Sequence, residues 1–163
     1  MSYHVSPVPF ATFASSATQS VANAANAQSL TYNLDLGSKG ITKVSNSRIV
    51  LPQVGNYCFT FSAIGHNSGS ASAKWFNLFL RKNGTGSVDN SSTIVATSKD
   101  NPTTVVATFN IECTTAGDYY ELMMAGQDTG AQVLATAAQA AVPGVSPAMP
   151  ACPSILVAVW QID

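Results

Sequence analysis

The sequence predicts an all-β protein, a sandwich or jelly roll of about nine or ten short strands. Three observations support this prediction. Runs rich in β-branched and aromatic residues recur along the chain, turns rich in Gly, Pro and Asn separate them, and little of the sequence has helical periodicity. With 163 residues and no charge run or linker dividing it, the chain is expected to form one domain.

The composition is unusually poor in charge. Charged residues make up 9% of the chain, whereas about 25% is usual in soluble proteins. The net charge is −1 and the seven Lys and Arg are scattered, which argues against binding of nucleic acid. A membrane-spanning helix is excluded because no run of about 18 apolar residues occurs. With 46% apolar residues, the expected protein is a β-structure with much of its surface hidden in contacts.

The elements follow in chain order. Residues 1–9 are expected to form an extended arm, because Pro7 and Pro9 cannot join a central strand, and residues 10–163 form the jelly-roll domain. The predicted strands lie at residues 10–21, 29–34, 41–44, 48–51, 56–63, 74–81, 93–97, 104–113, 119–125, 132–136 and 154–162.

Side-chain alternation and turn residues justify the central strands. In residues 56–63 aromatic residues alternate with small or polar ones, which predicts one buried face. Asn83-Gly84 is a hairpin signal after a strand, and Gly117 marks a turn before the strand at 119–125. Residues 131–151 are ambiguous. A strand at 132–136 and then a loop rich in Ala and Pro is preferred, and a short helix is the alternative.

Several strands are apolar on both faces, the closing strand most clearly. A single sandwich covers one face of each sheet, so a second apolar face needs another cover. Loops or the arm of the same chain are one possibility. The preferred prediction is a homo-oligomeric interface. The residues predicted at this interface are Trp75, Phe79, Met123, Ile155, Val157, Val159 and Gln161.

Residues with catalytic or metal-binding chemistry are sparse. Glu112 and Glu121 lie on neighbouring strand-like runs and could pair, but solvated or ion-paired carboxylates are the preferred interpretation. The histidines lack an evident partner, and Cys58 and Cys113, which lie inside strand-like runs, are expected to be buried free thiols. Asp89-Asn90 and Asp100-Asn101 suit turns better than calcium. We therefore predict no enzyme, no cofactor and no metal.

Three segments carry a resemblance to a known family. Residues 51–61 resemble the Pro-x-x-Gly-x-Tyr-x-Phe-x-Phe segment of complement-type and tumour-necrosis-factor-like jelly rolls, and residues 117–122 resemble their Gly-Asp-x-Val-x-Leu turn and strand. Residues 80–84, 117–123 and the closing strand are similar to small virion proteins of tailed phages. The resemblance covers about residues 10–162. It implies a ten-strand jelly roll that forms a homotrimer with a structural or binding role.

The function expected from this resemblance is that of a trimeric capsid decoration, or cement, protein. Its partners would be itself and the major capsid protein or another virion protein, with no nucleic acid and no membrane. The expected location is the virion, assembled in the host bacterial cytoplasm. The arm would lie across the capsid through Tyr3, His4, Val5, Pro7 and Pro9.

Two alternatives stay open. One is a receptor-binding knob of a tail or head fibre, with residues 65–73 and 85–92 offering Asn and Ser to host glycans. A jelly roll that occupies almost the whole chain, with no shaft, favours decoration over this alternative. The other is a secreted or adhesive bacterial trimer. The missing signal peptide counts against it.

Overall fold

A computed structural model describes residues 8–24, 26–99, 101–138 and 150–163. Every regular secondary-structure element in these residues is a β-strand. The prediction of an all-β fold is confirmed. The strands are β1 (Phe10–Ser15), β2 (Gln19–Ser20), β3 (Gln28–Ser29), β4 (Leu34–Lys39), β5 (Thr42–Val44), β6 (Arg48–Val50), β7 (Gly55–Asn67), β8 (Lys74–Lys82), β9 (Gly86–Ser87), β10 (Thr93–Thr97), β11 (Thr103–Cys113), β12 (Tyr119–Gly126), β13 (Ala131–Val133) and β14 (Ile155–Gln161).

The strands form two seven-stranded antiparallel sheets. The first sheet has the order β2-β13-β7-β14-β1-β4, and β11 pairs with the other edge of β7. The second sheet has the order β10-β8-β12-β6-β5, with β3 beside β12 and β9 beside β8. Strands adjacent in sequence often lie in different sheets, which is the crossover pattern of a jelly roll.

The longest strand, β7, organises the first sheet. It pairs with β11 over eleven residues and with β14 over seven. Its side chains Tyr57, Phe59 and Phe61 are buried in the core, as the alternation in the sequence predicts. The ring of Phe59 lies 5.6 Å from that of Tyr120 on β12, which links the two sheets.

The segment between β2 and β5 differs from the prediction of one strand at 29–34. The N–H of Leu30 donates to the carbonyl of Leu122, whereas that of Tyr32 donates to the carbonyl of Asn46. Because successive backbone groups bond to different elements, no single ladder forms there. Strand β4 then continues through Gly37, whose φ of +140° fits the irregular register opposite β1.

Two tight turns join β5 to β6 and β8 to β9. Ser45 and Asn46 both have positive φ (52° and 57°), and so do Asn83 (50°) and Gly84 (72°). Positive φ at both central residues is the geometry of a type I′ turn. Three residues lie between the paired ends of each hairpin, which are Val44 with Arg48 and Lys82 with Gly86. The hairpin expected at Asn83-Gly84 is confirmed.

The two ends of the domain lie side by side. The N–H of Gln161 donates to the carbonyl of Pro9 at 3.0 Å, and Ser15 is paired with Ile155 at the other end of β1. Asn56 donates its backbone and side-chain N–H groups to the carboxylate of Asp163 at 2.7 and 2.6 Å. These bonds hold β1, β7 and β14 together at one end of the sandwich.

Candidate interaction surfaces

The central part of the outward face of the first sheet carries no charged side chain, and Glu112 lies beyond it at the end of β11. Its side chains alternate with the core residues along β7, β11 and β14, and β4 continues it beyond β1. We call it the uncharged face, and it comprises Leu34, Leu36, Cys58, Thr60, Ser62, Ile64, Thr104, Val106, Thr108, Asn110, Leu156, Ala158 and Trp160.

The uncharged face exposes large apolar side chains. Leu36 is 56% exposed, Val106 63% and Trp160 40%. Strand register arranges them in rows, since Leu156 and Val106 both lie opposite Ser62. Scattered exposed apolar residues are normal, but several on one sheet face with no charge among them indicate an interaction surface.

Two shallow grooves cross this face. One, of about 310 Å³, is lined by Leu34, Leu36 and Leu156 among others, and the second, of about 290 Å³, includes Ile64 and Thr104. The segment at Cys152 and its neighbour Pro153 borders both grooves. The uncharged face is therefore grooved and not flat.

Along the edge formed by β10 and β11, the two sheets leave apolar side chains of the core partly exposed. Each of these strands pairs with only one neighbour in the described part of the chain. Along this edge Val95, Ala107 and Phe109 pack against the core but stay partly exposed. This open edge is a second apolar surface, distinct from the uncharged face.

The prediction that Ile155, Val157 and Val159 lie at an interface is wrong. They are at most 1% exposed and belong to the core between the sheets. The two faces of β14 are reversed relative to the prediction, so that Leu156, Ala158 and Trp160 point outward. Because both faces of this strand are apolar, the alternation alone could not assign them.

Gln161 is also turned inward, at 8% exposure. Its side-chain oxygen accepts a hydrogen bond from the amide of Gln53, and its own amide donates to the carbonyls of Val54 and Asp163. The amide is thus satisfied within the chain, which corrects the prediction that Gln161 lies at the interface.

The other predicted interface residues lie on the second sheet. Trp75 is 44% exposed and Phe79 is half-buried on its outward face, so their place at an interface stays a prediction. Met123, opposite Phe79, is 2% exposed and is covered within the chain, which corrects its assignment. Ile94 is exposed on the same face and was missed.

The predicted capsid-contact arm is only partly described. Tyr3, His4, Val5 and Pro7 lie outside the described residues. Pro9 is buried and its carbonyl is bonded to β14, so it belongs to the domain and not to a free arm. The suggested helix over 137–151 also falls mostly outside the described residues.

Glu121 is the centre of a charge cluster on the second sheet. The Nε and Nη2 atoms of Arg81 lie 3.0 and 2.7 Å from its Oε2 atom, and Arg48 Nε lies 3.7 Å from Oε1. The carboxylate is 3% exposed. Glu112 is on β11, in the other sheet, so the two residues are not on neighbouring strands and the carboxylate-pair hypothesis loses its basis.

A second ion pair fixes the turn at Asn83. Lys82 Nζ lies 2.7 Å from Asp118 Oδ2, and the amide of Asn83 donates to Oδ1 at 2.8 Å. These hydrogen bonds, led by that from Lys82, hold the pKa of Asp118 below its usual value. The same contact raises the pKa of Lys82. The turn is therefore rigidly attached to β12.

Beside this turn lies a cleft of about 450 Å³, which we call the edge cleft. One wall is formed by residues 82–89 except Gly84, and the other by residues 110–112 at the end of β11, with Tyr120 also in its lining. Part of this cleft comes from the 85–92 loop that the sequence singled out. The contribution of β11 was missed because it depends on how the sheets close.

Metal and thiol chemistry is not evident in the described part of the chain. No cluster of three or more His, Cys, Asp or Glu residues there could hold a metal ion. Cys58 and Cys113 are buried free thiols, as predicted, and Cys152 is a free thiol at the surface. The ring nitrogens of His66 contact Lys99 O and the Gln132 amide, a structural role. No described helix is long and apolar enough to cross a membrane.

Comparison with known proteins relies on structure, since no family model and no curated protein matches the chain. Murine APRIL at pH 8.0 superposes with a TM-score of 0.60 and 8% identity, covering 96% of this chain and 100% of that one. For the globular domain of zebrafish complement 1qA protein the values are 0.55, 16%, 96% and 98%. The chain has a jelly-roll fold of the tumour-necrosis-factor and complement type.

At these identities the likeness concerns the fold alone. It confirms the jelly roll that residues 51–61 and 117–122 led us to expect. A fold of this type agrees with the prediction that the chain is not an enzyme, which remains a prediction. The resemblance to phage virion proteins likewise remains a prediction.

Proposed function

We propose that the chain is a structural protein that assembles as a homotrimer and decorates the head of a tailed phage. In this proposal the trimer bridges subunits of the major capsid protein and stabilises the shell. The observation that carries the proposal is the uncharged face, because a water-exposed sheet surface with this composition is best explained by a protein that covers it.

The uncharged face and the open edge are two different apolar surfaces, and together they favour a ring-shaped oligomer. If the open edge of one copy packs on the uncharged face of the next, the contact is heterologous, and such contacts close into rings when the rotation fits. The surfaces lie on different parts of each copy, so all copies can use both at once. Three copies is the number that the family resemblance implies.

The virion role is supported by the sequence. Residues 80–84, 117–123 and the closing strand resemble small virion proteins, and the low charge suits a protein that lies against other subunits. Pro9 lies beside the end of β14, where its carbonyl accepts a hydrogen bond from the N–H of Gln161. From there an extended segment could reach a neighbouring capsid subunit.

Self-association is tested by placing a charge on the uncharged face. Leu36→Asp should lower the oligomeric state measured by analytical ultracentrifugation while the circular dichroism spectrum stays that of the native protein. Val44→Asp changes an equally exposed residue, 49% against 56%, on the far edge of the second sheet, and should leave the trimer intact. A wild-type monomer, or a trimer unaffected by Leu36→Asp, would contradict the proposal.

The decoration role is tested on particles. Purified protein should bind capsids of the phage that encodes it when these are prepared without it, and should raise their resistance to heat or low salt. In virions it should be far more abundant than tail proteins. Deletion of residues 1–7 should weaken capsid binding without changing the oligomeric state. Protein found only at the tail would contradict decoration.

A further inference from the structure

The edge cleft has features that the proposed structural role does not use. Its volume of about 450 Å³ lies in the range of small-molecule sites. Its walls are anchored, because residues 86 and 87 pair with β8 and the N–H of Val88 donates to the carbonyl of Leu80. On the opposite wall, Asn110 and Glu112 pair with β7. Anchored walls lose little entropy when a ligand binds.

Each wall offers a carboxylate and a neutral polar group two residues apart. Ser87 and Asp89 lie on the loop wall, and Asn110 and Glu112 lie on one face of β11. Within the described residues, none of these four side chains has a hydrogen-bond or ion-pair partner. The cleft therefore has free donors and acceptors on both sides.

Backbone groups add to this set. Since β11 is an edge strand, alternate peptide groups point away from β7. The carbonyl of Glu112 is one of them, because it accepts a hydrogen bond of 3.4 Å from the hydroxyl of Tyr120, which also lines the cleft. Asn110 lies two residues before Glu112 on the same strand, so its backbone N–H and C=O groups also point away from β7.

The local charge limits the ligand class. Lys82 is neutralised by Asp118, which leaves Asp89 and Glu112 as unpaired charges in the lining. An anionic ligand would be repelled. A neutral molecule with adjacent hydroxyl groups fits, because each hydroxyl can donate to a carboxylate and accept from an amide or hydroxyl. Val88 and Ile111 supply apolar lining for the C–H face of such a molecule.

We propose that the edge cleft is a binding site for one ring of a neutral saccharide. The ring would sit between the loop wall and β11, with Asp89 and Glu112 accepting from its hydroxyls and Ser87 and Asn110 donating to them. This function goes beyond decoration and does not depend on it. It would let an assembled particle adhere to a carbohydrate-bearing surface.

The test is a nuclear magnetic resonance titration of the full ¹⁵N-labelled chain. The neutral probes are the methyl α-glycosides of glucose, galactose and mannose, and the charged probes are N-acetylneuraminic acid and ethylammonium. At least one neutral probe should shift the amide signals of residues 85–89 and 110–112, with a dissociation constant on the order of millimolar. N-acetylneuraminic acid, which the two carboxylates repel, should not do so at equal concentration.

Variants locate the site. Asp89→Asn and Glu112→Gln should each weaken binding about tenfold. Asp35→Asn removes one exposed carboxylate from β4 and should leave binding unchanged. The variants of the cleft remove no hydrogen bond of the described structure, so their spectra should otherwise match the wild type.

Several outcomes would overturn the inference. They are a lack of shifts with all neutral probes up to about 100 mM, binding of a charged probe alone, or binding that survives both cleft variants. Sedimentation of the same samples keeps this result separate from the proposed function. A trimer that binds no saccharide refutes only the cleft, and a monomer that binds one refutes only the assembly.

Discussion

Charged side chains are so few in this chain that each ion pair has an identifiable role. Of seven Lys and Arg and eight Asp and Glu, Arg48, Arg81 and Lys82 converge on two buried carboxylates. Glu121 joins β6 to β8 across β12, and Asp118 attaches β8 to the start of β12. Removing one member leaves its partner unmatched at a partly buried position.

Glu121→Gln should lower the free energy of unfolding by about 2–3 kcal/mol, because Arg48 and Arg81 lose their only ion-pair partner in the described structure. Urea denaturation followed by circular dichroism measures the change. Glu112→Gln is the matched control, since Glu112 is exposed and unpaired, and its effect should stay within about 0.5 kcal/mol. Equal effects of both changes would contradict the role assigned to Glu121.

The lowered pKa of Asp118 predicts that the stability of the protein depends on pH. Its pKa is lowered in the folded protein, so the unfolded chain binds a proton first as the pH falls. The stabilisation is present above the ordinary carboxyl pKa of about 3.9 and is lost as the pH falls through the lower folded value. The urea midpoint should therefore begin to drop below about pH 5 and should keep dropping until the pH has passed the folded value.

Asp118→Asn should make that drop shallower while lowering the midpoint at neutral pH. Asp89→Asn removes a carboxylate that has no partner in the described residues, and it should keep the wild-type slope. If Asp118→Asn leaves the slope unchanged, other carboxylates cause the acid sensitivity and the contact with Lys82 contributes little.

At the scale of the elements, local signals predicted most strands and failed where tertiary context decides. The strand at 93–97 agrees with β10, and the Asn83-Gly84 turn needed only local rules. Residues 29–34 are predicted to form one strand, but their backbone groups form hydrogen bonds with two separate elements. The predicted strand ends at residue 34, whereas β4 runs from Leu34 to Lys39, because a Gly with positive φ such as Gly37 can continue an irregular strand.

The turn between β5 and β6 has a suitable geometry for a hairpin, but its first central residue is Ser and not Gly. Ser45 adopts a positive φ that Gly adopts without strain. Ser45→Gly should therefore raise the free energy of unfolding by up to about 0.5–1 kcal/mol, as measured by thermal unfolding. Gly84→Ala makes the opposite change in the other hairpin and should be destabilising. Its added methyl group would also lie 2.8 Å from the hydroxyl of Tyr119. A Ser45→Gly variant less stable than the wild type would refute this expectation.

For the whole molecule, the sequence indicated an excess of apolar surface but not its place. Period-two alternation separates the faces of β14 without saying which one is inner when both are apolar. The inner face is set by how β14 sits between β7 and β1, which is a long-range property. The uncharged face could be inferred only after these pairings placed Leu156 and Val106 in one row.

Two adjacent residues of β14 test this assignment. Val157→Asp buries an unpaired charge in the core and should give unfolded or insoluble protein. Leu156→Asp faces outward and should give folded protein of lower oligomeric state. Circular dichroism and sedimentation velocity distinguish the two outcomes. If Leu156→Asp unfolds the chain and Val157→Asp only dissociates it, the assignment of the faces is reversed.

The bond between Pro9 and Gln161 also bears on how the domain responds to mechanical force. Tension between residues 9 and 162 would separate β1 from β14 one bond at a time, since both residues lie at the same end of the antiparallel pair. Tension between the arm and a trimer held by its neighbours would instead pull β1 lengthwise and load many bonds together. Single-molecule stretching should therefore give a lower rupture force between residues 9 and 162 than between residues 9 and 155, which lie at opposite ends of the β1/β14 pair. In the proposed decoration role, strain transmitted from the shell through residues 1–7 would act along the stronger direction.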